Sequence, residues 1–167
     1  KRDIPKRGDI IVFKYPKEES FYYIKRVIGV SGDHIRVRDK TLYINGVPLT
    51  RTPAHHTEII AKLEGRQYDK NSLELFDEPN MTTKQNHLIM LDKNNYITEN
   101  YGAITVPEDH LFVMGDNRDF SNDSRFWGYV PLKHVRGKAL VVWLSLWLDF
   151  REGYYSFRPE RTGTIIR

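Results

Sequence analysis

Short apolar runs rich in Val, Ile, Tyr and Phe recur along the chain and are separated by polar stretches that contain glycine. Such runs are typical of β-strands. They occupy residues 10–15, 21–30, 34–37, 41–44, 87–91, 104–106, 110–114 and 139–148. Helical periodicity is weak except over residues 57–63, and residues 131–134 are long enough for only one turn. The pattern therefore predicts a mainly β fold built on antiparallel sheets.

The middle of the chain differs from its two ends. Residues 45–106 are more polar and richer in turn-forming residues than the strand-dense flanks. We therefore predict a β core built from residues 1–44 and 107–167, with residues 45–106 inserted as a smaller subdomain. An Asn-Gly pair at the first boundary favours the positive φ angles of a type I′ turn, which predicts a hairpin over residues 42–49.

Composition limits the classes of protein that fit. With 167 residues, 40% of them hydrophobic and 29% charged, the chain is long and apolar enough for one folded domain. Its net charge of +4 is a balance of 26 basic and 22 acidic residues, so we expect a solvated exterior and no nucleic-acid partner. Cysteine is absent, which excludes disulfides and thiolate metal sites. No stretch reaches the roughly 18 apolar residues of a membrane-spanning helix.

One lysine lies inside an apolar strand pattern. Strand alternation puts Lys25 on the same face as Tyr23 and Val27, and that face is otherwise apolar. Burial there would lower the lysine pKa, because desolvation disfavours the ammonium form, and the neutral amine could then act as a general base. From the residues alone, the commoner outcome is that the stem packs and the ammonium reaches water.

Residues 115–128 form a polar loop directly after the predicted strand 110–114. The fourteen residues read GDNRDFSNDSRFWG and include three Asp, two Arg and two Ser. Such density predicts a loop whose side chains bond one another and the backbone, through Asx turns and pairs of Arg with carboxylates. Taken alone, the pattern fits a structural loop and an active-site loop equally well.

The run at residues 139–148 is apolar on both alternating faces. A sheet with one solvated face would alternate with polar residues. Either both faces are covered by protein, or the end near Trp143 and Trp147 meets the headgroups of a membrane lipid surface.

Three segments together resemble the signature boxes of bacterial type I signal peptidases, and they occur in the order that is typical of that family. They are residues 5–16 (PKRGDIIVFKYP), residues 23–33, which begin YIKRVIG, and residues 115–128, the most specific of the three. The family's enzymes are serine proteases with a Ser/Lys dyad. The resemblance implies an antiparallel β-sheet catalytic core of signal-peptidase type, formed by residues 1–44 and 107–167.

The resemblance implies a role for each matched polar residue. Lys25 would be the general base that takes the proton from a serine hydroxyl, and Ser121 would hydrogen-bond the lysine and orient it. Asp123 and Arg125 would form a buried ion pair that shapes the site without entering the reaction. Such a dyad is chemically coherent, because a desolvated amine can replace the histidine of a Ser-His-Asp triad.

The resemblance also implies a substrate. The substrate is a signal peptide in an extended conformation, with small side chains at the first and third positions before the cut, as in Ala-X-Ala, bound by strand addition. Tyr23 and Ile24 match the pocket for the first position, and Val12 and Ile24 match the pocket for the third. We expect a monomer that acts on secretory preproteins and requires no metal or organic cofactor.

The family's nucleophile is a Ser followed by Met, upstream of the first box. None of the serines in this sequence precedes a Met, so we expect the nucleophile and part of the oxyanion hole to lie outside it. The complete protein would be an endopeptidase of the bacterial cytoplasmic membrane, with its catalytic domain on the periplasmic or extracellular side. The alternative is a catalytically inactive homologue that acts as a peptide-binding or scaffold protein.

Overall fold

The computed structural model describes residues 4–63, 69–80, 82 and 85–139, together with the backbone of four short strands beyond residue 139. Pairing between the named strands is antiparallel throughout. In addition to two 3₁₀ turns, at Arg118–Phe120 and Leu132–His134, the elements in chain order are β1 (Ile10–Lys14), β2 (Tyr22–Gly29), β3 (His34–Arg38), β4 (Thr41–Ile44), β5 (Val47–Pro48), β6 (Thr52–Pro53), α1 (Thr57–Ala61), β7 (Leu73–Pro79), β8 (Asn86–Asp92), β9 (Tyr101–Thr105), β10 (His110–Met114), α2 (Ser124–Trp127), β11 (Val130–Pro131), β12 (Val135–Lys138), β13 (Val141–Val142), β14 (Leu146–Asp149), β15 (Tyr154–Phe157) and β16 (Thr164–Ile165).

A five-stranded sheet joins strands from the two ends of the chain, in the order β11-β10-β2-β1-β12. Alternation along β2 directs Val27 to one face and Ile28 to the other, and both side chains are buried. Because protein covers both faces here, the second half of β2 is buried at every position rather than at alternate ones, and its one charged residue, Arg26, is paired with Asp116.

Two hydrophobic clusters cover the two faces of this sheet. The first, which we call the aromatic cluster, packs Phe13 and Val113 against Trp127 of α2. The second packs Phe112 and Met114 against the inner face of a four-stranded sheet, β5-β4-β3-β9. The five-stranded sheet is therefore the middle layer, and the aromatic cluster lies on the side that carries α2.

The predicted hairpin is confirmed. Asn45 and Gly46 have φ angles of 53° and 80°, and they join β4 to β5. Asn45 also fixes the loop before β3, because its Oδ1 accepts the His34 N–H at 2.8 Å and its Nδ2 donates to Asp33 Oδ1 at 3.0 Å. Arg7 donates to the same carboxylate, so this turn is tied to the N-terminal segment.

The mainly antiparallel β fold is confirmed, and most strands lie where the apolar runs predict them. Seven predicted strands correspond to β1, β2, β3, β4, β8, β9 and β10, and the predicted helix at residues 57–63 corresponds to α1. Sequence patterning does not reveal β7, because Asp77, Glu78 and Pro79 at its end are poor strand formers.

The strand predicted over residues 139–148 lies only partly within the described residues. The backbone there contains two short strands, β13 and β14, which pair with β16 and β15 respectively, so a run of high strand propensity does not by itself set one register. Trp143 and the side chain of Trp147 lie outside the described residues, and contact with lipid stays a prediction. Within the described part of the chain, helices long and apolar enough to cross a membrane are absent.

The division into a core and an insertion also stays a prediction. A three-stranded sheet, β6-β7-β8, lies wholly within residues 45–106. However, β5 and β9 of the same segment pair with β4 and β3. Strand pairing therefore crosses the predicted boundary at residue 44, and the four-stranded sheet draws on both predicted parts.

Truncation of Phe13 tests the aromatic cluster. Phe13 is 0% exposed, so Phe13→Ala should lower the free energy of unfolding by about 3–5 kcal/mol, as removal of a buried aromatic ring usually does. Phe21→Ala is the control, because Phe21 is 52% exposed. Urea denaturation of both variants measures the difference, and equal losses would contradict the packing described here.

Candidate active site

Lys25 lies on β2 opposite Ile11 of β1. Its Nζ donates a hydrogen bond to Ser121 Oγ at 2.8 Å and lies 5.8 Å from the centroid of the Tyr23 ring. Tyr23 and Val27 both pack in the aromatic cluster, which confirms that the face shared with Lys25 is apolar. The half-buried amine therefore meets a hydroxyl and an apolar wall rather than bulk water.

Burial lowers the pKa of Lys25 below its ordinary value, because desolvation disfavours the ammonium form. Nearby charges modify this effect: Asp123 raises the pKa, Arg125 lowers it, and Asp116 raises it. The net direction is towards the neutral amine that a general base requires.

Gly115 makes the approach of Lys25 and Ser121 possible. A Cβ atom at this position would lie 2.7 Å from Ser121 Cβ and 3.3 Å from Lys25 Nζ, and both distances are tighter than ordinary packing allows. The Gly115 N–H donates to Asp123 Oδ2 at 3.1 Å, which fixes the backbone where β10 ends. Glycine is therefore required here, because a side chain would not fit against the Ser121 hydroxyl and the Lys25 amine.

Asp123 and Arg125 form the predicted ion pair at the start of α2. Arg125 Nε and Nη2 each donate to one carboxylate oxygen of Asp123 at 2.8 Å, a bidentate arrangement. The Asp123 side chain is fully buried and also accepts the Arg125 N–H as the N-cap of the helix. Arg125 Nη2 donates in addition to the Arg118 carbonyl oxygen, so the pair fastens the loop to itself.

Ion pairs that the sequence does not reveal attach the same loop to other elements. The two residues of each pair are 90, 40 and 79 positions apart in the chain, and no periodic pattern in the sequence links residues so far apart. The only sequence signal is the density of charge in residues 115–128. The pairs are Arg26 with Asp116 (Nη2 to Oδ2, 2.7 Å), Arg118 with Glu78 (Nη1 to Oε1, 2.8 Å) and Lys40 with Asp119 (Nζ to Oδ2, 3.0 Å).

The residues matched to substrate pockets lie on different faces of the sheet. Val12 pairs directly with Ile24 across β1 and β2, so their side chains are neighbours, and Ile24 is 60% exposed. Tyr23 lies on the opposite face, stacked on Tyr15 with ring centroids 4.7 Å apart. The structure therefore brings Val12 and Ile24 together and places Tyr23 beside Lys25; the pocket assignments stay predictions.

The first half of β2 has an open edge. β10 ends at Met114, opposite Arg26, whereas β1 pairs with β2 as far as Tyr22. Backbone groups along an antiparallel strand alternate in direction, and Val27 bonds on the β1 side. Tyr22 and Ile24 therefore direct their N–H and C=O groups to the other side, where none of the described strands pairs with them.

Comparison with family models gives a match over residues 1–144 to the family described as signal peptidase, peptidase S26. The chain belongs to this family. The resemblance that residues 5–16, 23–33 and 115–128 carry is thereby confirmed. The loop and the lysine strand of this S26 chain are the same segments that the structure brings together at the Lys25–Ser121 contact.

Individual members of the S26 family are also similar to the chain. Signal peptidase I of Pseudomonas aeruginosa is 40% identical over 158 residues, covering 87% of this chain and 51% of the relative. Signal peptidase I of Rickettsia bellii is 39% identical over 145 residues, covering 84% and 48%. The similarity to the crystal structure of a signal peptidase I from Enterococcus faecalis extends over 83% of this chain and 98% of the Enterococcus chain, with 32% identity and a TM-score of 0.48. The chain spans about half the length of these two curated relatives.

Substitution of Gly115 tests the geometry of the site. Gly115→Ala should push Ser121 away from Lys25, admit water to the amine and raise its pKa towards the ordinary lysine value. Gly137→Ala is the matched control, because a Cβ there meets no atom within 4 Å. The ¹³Cε chemical shift of Lys25, followed against pH, reports the pKa. A titration of Gly115→Ala that is identical to the wild type would contradict the described contact.

Proposed function

We propose that this chain is the catalytic domain of an endopeptidase that removes N-terminal signal peptides from exported preproteins. The observation that carries the proposal is the 2.8 Å hydrogen bond between Lys25 and Ser121. The pKa of the lysine amine in this bond is lowered by burial. Membership of the peptidase S26 family and the names of the similar proteins support the same reaction. A serine supplies the nucleophile and Lys25 the general base.

The orientation of Lys25 suits this role. The neutral amine uses one N–H to bond Ser121, so its lone pair points elsewhere and is available to a serine hydroxyl. Lys25 takes the hydroxyl proton as the serine oxygen attacks the scissile carbonyl carbon, and the ammonium then gives that proton to the departing amine. Ser121 orients the base, while Asp123 and Arg125 hold the loop in place.

Ser121 is not itself a suitable nucleophile. It is only 7% exposed and lies directly against Gly115, so a peptide carbonyl has no approach to its hydroxyl. The nucleophile is instead proposed to be a Ser followed by Met, encoded upstream of Lys1. Part of the oxyanion hole would come from that same segment.

The open edge of β2 is the proposed binding site for the signal peptide. An extended peptide could pair with the backbone groups of Tyr22 and Ile24 as an added strand. Alternate residues of such a peptide face the same way, so the two Ala side chains of Ala-X-Ala would point to one side and X to the other. Both Ala side chains are proposed to lie on the face that carries Ile24 and its neighbour Val12, which restrict them to small side chains, while Tyr23 lies on the opposite face beside Lys25.

The proposed substrates set the location of the protein. Preproteins emerge at the outer surface of the bacterial cytoplasmic membrane, so the catalytic domain belongs on the periplasmic or extracellular side, with the complete protein attached to the membrane. The enzyme is proposed to act as a monomer.

Cleavage of a preprotein that carries an Ala-X-Ala site by the product of the complete gene tests the proposed function. Mass spectrometry of the products should place the cut directly after the second Ala. Intact preprotein, with peptide binding retained, would overturn the proposal in favour of an inactive peptide-binding homologue.

Removal of the proposed base tests its role in the same assay. Lys25→Ala should lower kcat by about 10²–10⁴-fold, the usual contribution of a general base, while the thermal unfolding curve stays close to the wild type. Lys17→Ala, on the exposed turn between β1 and β2, should retain full activity. The wild-type rate should rise with pH as Lys25 loses its proton, with a midpoint below the value of about 10.4 for an ordinary lysine. Turnover by Lys25→Ala at the wild-type rate would exclude Lys25 as the base.

A further inference from the structure

Glu78, on β7 in the predicted insertion, is buried beneath the loop of residues 115–128. Its side chain is 1% exposed and accepts hydrogen bonds from Arg118 Nη1 at 2.8 Å and from Nη2. His87 Nε2 lies 3.4 Å from the same carboxylate. Burial raises the pKa of Glu78, but Arg118 and His87 more than offset this and bring it to about 2, so the carboxylate is ionised at neutral pH.

A continuous series of contacts leads from Glu78 to the site. Glu78 holds the Arg118 side chain, and the Arg118 carbonyl oxygen accepts a hydrogen bond from Arg125. Arg125 in turn grips Asp123, which holds the Gly115 N–H directly beside Ser121 and Lys25. Glu78 is therefore connected, through these contacts, to the backbone that encloses the lysine amine.

The predicted insertion contacts the loop at further points. The Met90 N–H donates to the Asp116 carbonyl oxygen at 2.9 Å, and the Asp92 N–H donates to Asp119 Oδ2 at 2.7 Å. Thr98 and Asn95 also bond Asp119, through its carboxylate and its carbonyl oxygen respectively. The donors in these contacts are uncharged, whereas Glu78 contributes a full negative charge at a position that is buried from water.

We propose that Glu78 is a positioning residue for the peptidase reaction: through Arg118 it fixes the loop of residues 115–128 so that Ser121 and Lys25 stay in contact and water is kept from the amine. The proposal rests on the proposed function. It gives the middle segment, which lies outside the three family-like boxes, a part in catalysis without contact with the substrate.

The sign of the change at Lys25 separates positioning from a simple charge effect. Removing the negative charge of Glu78 would, by Coulomb's law alone, lower the pKa of Lys25. Loosening the loop admits water and raises it. The charged groups that face Lys25 are Asp116, Asp123 and Arg125, and each of them keeps its charge in a Glu78 variant.

The first measurement is the ¹³Cε titration of Lys25 in the 167-residue chain, for Glu78→Gln, Glu78→Asp and Glu74→Gln. Glu74 is the matched control, because it lies on the same strand in an exposed pair with Lys93. We expect the Lys25 pKa to rise by about one unit in Glu78→Gln, to rise less in Glu78→Asp and to stay unchanged in Glu74→Gln. A lowered or unchanged pKa in folded Glu78→Gln overturns the proposal.

Thermal unfolding of the same variants shows which of them fold, since removing one partner of a buried ion pair is strongly destabilising. If Glu78→Gln does not fold, Glu78→Asp decides the matter, because it keeps the charge and shortens the side chain by one methylene. A raised Lys25 pKa in Glu78→Asp supports the proposal, and a wild-type value overturns it.

The second measurement is the pH profile of kcat in the product of the complete gene. Glu78→Gln should lower kcat near neutral pH about tenfold, matching a one-unit change in the Lys25 pKa, with the acid limb displaced to higher pH and KM within about twofold. A merely structural role would lower the amplitude at every pH without moving the limb, and that result would overturn the proposal. If the wild type does not cleave preproteins, the proposed function fails, while the Lys25 titration still tests the positioning.

Discussion

The contact between Lys25 and Ser121 places a lysine amine against an apolar wall, where its charged form is disfavoured. Several other features of the structure maintain this contact. The aromatic cluster supplies the wall, Gly115 leaves out the side chain that would separate the two groups, and the buried Asp123–Arg125 pair holds the backbone that covers them. Without these features the amine would meet water and its pKa would return towards the ordinary lysine value.

Buried charge close to Lys25 must be paired, because an unpaired ion would change the electrostatic potential at the amine. The charges of the loop are paired with partners of opposite sign, and three of these partners lie outside the loop: Arg26, Lys40 and Glu78. Since an ion pair of this kind is costly to break on one side, the loop has little freedom to adopt another conformation.

Local patterns in the sequence predict the features that depend on neighbouring residues. Alternation of apolar residues locates most of the strands and puts Lys25 on an apolar face, and Asn45 with Gly46 predicts the hairpin turn. The sequence does not reveal β7 or the partners of the loop charges, because Glu78 is recognisable as a buried residue only once Arg118 lies beside it. The role of Gly115 is equally hidden, since it depends on two side chains from distant positions.

The separation of Lys25 and Ser121 along the chain has a consequence for biosynthesis. The two residues are 96 positions apart, so contacts of high sequence separation must form before the site exists. A growing polypeptide that has exposed β1 and β2 carries Lys25 as an ordinary solvated ammonium, with no hydroxyl beside it. The lowered pKa of Lys25 therefore arises only after β2 and the loop of residues 115–128 have come together.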